Sequence, residues 1–151
     1  MTLYSIALFL HVVGALLLFV LLTVEGFSLR LGRPAARFNQ FVGPASALLI
    51  LFPGLYMVAS TWGWKGWILV GITAWVLIAA LGAATGVILL RGGLSLRAAA
   101  VSWTVRVGMA VGIVFVMAVK PEVLIAASAV LLGALAGLAA SAVAVRQVQS
   151  A

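Results

Sequence analysis

Five stretches of this chain are apolar for long enough to cross a lipid bilayer, and they leave little sequence for anything else. A hydrocarbon core about 30 Å thick is crossed by a helix of ~20 residues. The stretches are residues 3–26, 41–61, 67–90, 101–119 and 123–145 of the 151. Between the last two, Lys120-Pro121-Glu122 sets two charges around a proline, which suits a turn and not the middle of a membrane helix. The expected fold is therefore all-α: a polytopic membrane bundle of five transmembrane helices, one domain over 1–151 with no room for a soluble one.

Composition agrees. Hydrophobic residues make up 66% of the chain and charged residues 7%, where soluble domains carry about 25% charged. A soluble chain this short could not hide so much apolar surface, so a soluble enzyme, a disordered segment and a secreted scaffold are excluded. With no cysteine there is no disulfide, zinc thiolate, iron–sulfur cluster or thiol nucleophile. The net charge of +7 would suggest nucleic acid in a soluble protein. Here the cations lie between hydrophobic runs, without interleaved aromatics, and no nucleic-acid partner is expected.

Those cations sort by connection. Arg30, Arg33 and Arg37 fall in the first, read as 30–40; Arg91 and Arg97 in the third, read as 91–100; Arg146 follows the last run. The second and fourth connections hold only Lys65 and Lys120. Arginine and lysine accumulate on the cytoplasmic side. The N-terminus is thus expected outside and the C-terminus in the cytoplasm, an arrangement that needs an odd number of spans. The first run is longer than a signal-peptide core and ends in Val24-Glu25-Gly26, not in a small-residue cleavage site, so it reads as a retained helix. Trp62, Trp64 and Trp67 around Lys65 read as an anchor at the outer headgroups, with no ligand role.

Three runs carry glycines four apart: Gly82 and Gly86, Gly108 and Gly112, Gly133 and Gly137. Lipid provides little hydrophobic drive between helices, so small residues that let backbones approach must supply it. They predict a tight bundle of the third to fifth helices, with Ala126, Ala129, Ala136, Ala140 and Ala144 extending the stripe on the last. Pro53-Gly54 predicts a kink in the second helix, either structural or widening an outward pocket.

Polar groups are costly inside a membrane, so the ionisable residues within the runs are the first candidates for function: His11, Glu25 and Arg106. His11 and Glu25 share a face of the first helix to within about 40° but stand ~21 Å apart along it, too far for a catalytic pair. No catalytic residues are assigned, and an enzyme is the less expected outcome. Glu25 and Arg106 fall at about the same depth, which predicts a structural ion pair between the first and fourth helices. The functional alternative is a proton-exchanging carboxylate in a small proton-coupled transporter. For His11, the plain reading is a hydrogen bond to a neighbouring carbonyl or serine. The sharper one is a haem or metal ligand; with Met57 and Met117 in the same outer third it makes a soft donor set that suits Cu(I).

Phe9-Leu10-His11-Val12-Val13-Gly14-Ala15 resembles the first helix of a group of small bacterial integral membrane proteins. The group includes the copper-resistance protein D family, the HemJ-type protoporphyrinogen oxidases and an uncharacterised membrane family of similar length. Phe115-Val116-Met117-Ala118-Val119-Lys120-Pro121, Trp62-Gly63-Trp64 and Trp67 resemble the last of these. The resemblance implies a bacterial inner-membrane helical bundle whose first-helix histidine, here His11, is a haem or metal ligand. The single histidine departs from the HemJ-type pattern, which argues against protoporphyrinogen oxidation. The expected function is a non-catalytic accessory or structural membrane component, homo-oligomeric or part of a larger complex. The alternatives are a haem- or copper-binding redox or transport protein using His11, and the transporter using Glu25.

Overall fold

The computed structural model describes residues 2–32 and 36–149, so Arg33 lies outside the described residues. Helix α1 covers Leu3–Arg30 and α2 Ala36–Met57, which a π-helical turn, Val58–Trp62, continues. Then come α3, Gly66–Leu90, α4, Leu96–Val119, and α5, Val123–Gln149. Among the described residues five helices are long and apolar enough to span a membrane, and there is no strand. The chain is a multi-pass membrane protein.

Several helices are longer than their apolar runs. Helix α1 continues a turn past residue 26 because Leu29 is buried and Arg30 places its charge at the negative end of the helix dipole. It ends ahead of Gly32, whose φ is +63°. Helix α2 starts at Ala36, not 41, so Arg37 belongs to the helix and not to a loop. Helix α4 begins at Leu96, not 101: the Ser95 hydroxyl caps it by accepting the Ala98 N–H at 3.2 Å, which puts Arg97 in the first turn. Arg146 likewise stands in the last turn of α5 and not beyond it.

Pro53 lies within α2, and the helix continues past it to Met57 before widening into the π turn. There the Gly63 N–H reaches back five residues to the Val58 carbonyl, at 2.8 Å. The turn presents Trp62 to both lysine-bearing connections. Its indole N–H donates to the Tyr4 hydroxyl at 3.3 Å, and Trp67 meets it edge-on. Lys120 Nζ stands 4.0 Å from the Trp62 ring centroid. Lys120 is the C-cap of α4 and takes a left-handed φ of +53° there, its N–H bonding the Val116 carbonyl.

Helix α1 pairs with α2 and α4 with α5, while α3 lies on α4. The α4 span is 39% buried, the most of the five, and the α5 span 17%, the least. Helix α4 is thus the centre of the bundle and α5 its most lipid-facing member. The α4–α5 contact is made of backbone on backbone. A Cβ on Gly108 would fall on the carbonyl oxygen of Gly133, and one on Gly137 would strike that of Thr104. One on Gly112 would stand 2.8 Å from Val130 Cα.

The third glycine pair behaves otherwise than its spacing predicts. Gly82 makes room for the Arg106 side chain, and Gly86 faces open space. Helix α3 packs through side chains, with Ala74 and Ile78 in one apolar cluster with Leu22, Met109, Val116 and Val130. The alanine stripe on α5 also needs correction. Ala126, Gly137, Ser141 and Ala144 are buried, but Ala136 and Ala140 are exposed, because a 3.6-residue period carries the contact line through 137 and 141.

The difference between these glycines is testable by thermal denaturation in detergent. Gly108→Ala is expected to lose about 2 kcal/mol or more, as overpacking against a fixed backbone does. Gly86→Ala, with nothing near its Cβ, is expected to leave stability unchanged or slightly raised.

Candidate functional site

The buried ionisable groups meet where α1, α3 and α4 come together. Arg106 Nη1 donates to Glu25 Oε2 at 3.0 Å, and Nη2 donates to Oε1. The arrangement is bidentate, the strongest a guanidinium and a carboxylate can make. The two side chains expose only 2% and 10% of their surface. Desolvating two charges costs several kcal/mol per ion, which attraction repays only with such paired geometry. Gly82 on α3 forms a further wall: a Cβ there would stand 3.3 Å from Arg106 Nη1. Arg106 Nε is buried and has no partner among the described residues.

One turn before Arg106, Trp103 makes a second link to α1. Its indole lies against Gly26, where any side chain would collide with the ring, and its N–H donates to the Leu22 carbonyl at 2.7 Å. That carbonyl already belongs to the helix ladder and has a second lone pair to offer. On the α3 side the Thr85 and Ser102 hydroxyls stand 2.7 Å apart. Trp103 and Arg106 are three residues apart and so share a face of α4. Opposite them, α1 presents Leu22, Glu25 and Gly26 with the same short spacing.

His11 is held about 21 Å farther along α1, against α2. Gly14 brings α1 against the backbone of α2: a Cβ there would stand 2.8 Å from Ile50 N. At that separation His11 Nδ1 lies 2.8 Å from the Ile50 carbonyl oxygen. A carbonyl only accepts, so Nδ1 carries the hydrogen, and in the neutral ring Nε2 keeps the lone pair. Gly54 gives the ring its space, since a Cβ there would stand 3.2 Å from both Nδ1 and Cε1. Pro53, beside it, has no N–H for the carbonyl of Leu49 in the preceding turn.

The structure thus joins Glu25 to Arg106 and seats His11 on α2. Met57 is buried one turn beyond Gly54, whereas the Met117 methyl lies over Gly71 of α3. Among the described residues no three His, Asp or Glu side chains cluster as a metal site. Trp103, Gly26 and Gly82 are the site residues that sequence reasoning missed. The signal available was the three-residue step from Trp103 to Arg106, opposite a glycine next to Glu25. Compared with protein-family models, curated proteins and solved structures, the chain matches none.

Trp103→Phe removes the donor together with the part of the indole that lies against Gly26. It is expected to lower stability by about 0.5–1.5 kcal/mol for the interhelical hydrogen bond, with the vacated space adding to the loss. Chemical unfolding in mixed micelles measures the change. An unaltered midpoint would show that this bond contributes nothing to holding α4 on α1.

Proposed function

We propose that this chain is a non-catalytic component of the bacterial inner membrane, an accessory or structural subunit that works by packing. Its N-terminus lies outside and its C-terminus in the cytoplasm. One observation carries the reading: the ionisable groups inside the spans are spent on holding helices together. Glu25 gives both oxygens to Arg106, and His11 gives its N–H to a neighbouring helix. A transporter exchanging protons at Glu25 would have to break both bonds to the guanidinium in each cycle. The lipid-facing side of α5, with Leu124, Leu131, Leu135 and Leu138 exposed, supports association with further helices of a complex or of a second copy.

A second reading rests on the tautomer of His11. A histidine that donates Nδ1–H to a carbonyl has Nε2 oriented and free to ligate, the usual second-sphere arrangement of a metal- or haem-bound imidazole. Under this reading His11 Nε2 binds haem, or Cu(I) with Met57 as a thioether partner, and a second copy or a methionine completes a haem.

Gentle extraction in detergent separates the two. The accessory role predicts a colourless, metal-free preparation that retains other membrane chains or further copies. Reporters fused to the two ends should then lie on opposite faces of the membrane. A Soret band or stoichiometric copper that disappears in His11→Ala would replace the accessory role with the second reading, and both reporters on one face would overturn the threading.

A further inference from the structure

A groove runs along the lipid-facing side of the bundle where α1 meets α4. Leu22, Gly26 and Trp103 line its inner part, and Phe19, Phe27 and Val107 its sides. Two polar residues complete it, Thr23 and Arg30. The neutral polar groups are already engaged. Trp103 Nε1 donates to the Leu22 carbonyl, and the Thr23 hydroxyl donates to the Phe19 carbonyl at 2.8 Å. The groove therefore offers an occupant no free side-chain donor short of Arg30. Its one charge is Arg30, exposed at the last residue of α1.

Length narrows the choice further. From Phe19 to Arg30 a helix rises about 16 Å, close to half of a hydrocarbon core ~30 Å thick. The matching occupant is apolar over the depth of one leaflet and anionic at the level of the headgroups. We propose that the groove is a binding site for one anionic phospholipid. An acyl chain lies over Leu22 and Trp103, and the phosphate pairs with Arg30. A zwitterionic lipid carries the same chain, but its own ammonium competes for the phosphate and weakens the pairing. An arginine that only marked the cytoplasmic boundary would attract anionic lipid without saturation and without regard to the shape of the groove.

The test titrates the delipidated full chain in detergent with phosphatidylglycerol or phosphatidylcholine. Native mass spectrometry counts the lipid retained, and thermal denaturation follows stabilisation. The expected result is one retained phosphatidylglycerol with about a fivefold preference over phosphatidylcholine, from one cation at the membrane surface. The preference should vanish in Arg30→Gln. Retention of both lipids should fall in Thr23→Trp, which fills the groove from an exposed position and leaves Arg30 in place; Val107→Phe is the second groove-filling variant should the first not fold. Glycerol 1-phosphate, a headgroup without chains, should not bind. Equal retention by the unaltered chain and Arg30→Gln would overturn the proposal. So would undiminished retention in the groove-filling variants, or binding of glycerol phosphate as tight as that of the lipid.

Discussion

Two opposite charges carried into hydrocarbon must end face to face, and much of this structure depends on where Glu25 and Arg106 meet. Neither residue tolerates lipid, so α1 and α4 have to turn these faces inward and stand at one relative height. Once they do, Trp103 comes over Gly26, its N–H finds the Leu22 carbonyl, and Gly82 of α3 closes over the guanidinium. The residues around the pair are small or aromatic for that reason. Gly26 and Gly82 are vacancies that larger groups from α4 fill.

The remaining contacts answer a different need. Apolar side chains gain little by leaving lipid for one another, so cohesion comes from close approach and from directed bonds. Helices α4 and α5 solve this with backbone contact at Gly108, Gly112, Gly133 and Gly137. Helices α1 and α2 combine a glycine contact at Gly14 with the bond from His11 to Ile50. The far end is clasped by Trp62 between Tyr4 and the two lysines. These devices leave one side of α5 and the groove beside Arg30 facing the bilayer, and there the chain has surface to offer to lipid or to other helices.

The spans were legible in the sequence because the length of an apolar run is set by bilayer thickness. Their ends were less so. Whether Phe27 to Arg30 continue a helix depends on Leu29 being buried, and that is a tertiary fact. The α4 start was within reach, since Ser95 is a good cap three residues before Ala98. Glu25 and Arg106 stood out because charge in a membrane helix is rare. Their seat did not, because glycine spacing alone cannot tell a backbone contact, as at Gly108, from a side-chain seat, as at Gly82, or from an open surface, as at Gly86. The π turn was illegible for the same reason: Pro53 announces a disturbance in α2, but the shape of the helix beyond it depends on Trp62 reaching Tyr4 and Lys120.

If the charge pair organises the bundle, reversing it should do what neither half can. The measurement is reversible unfolding in micelles for the unaltered chain, Glu25→Arg, Arg106→Glu and both together. Each single reversal buries two like charges and is expected to lose at least the ~3–5 kcal/mol that breaking a buried pair costs. The double reversal restores opposite charges and should recover a substantial part of that loss. A double variant no more stable than either single one would mean that Glu25 and Arg106 do not hold α1 and α4 together, and the account built on their contact would fail.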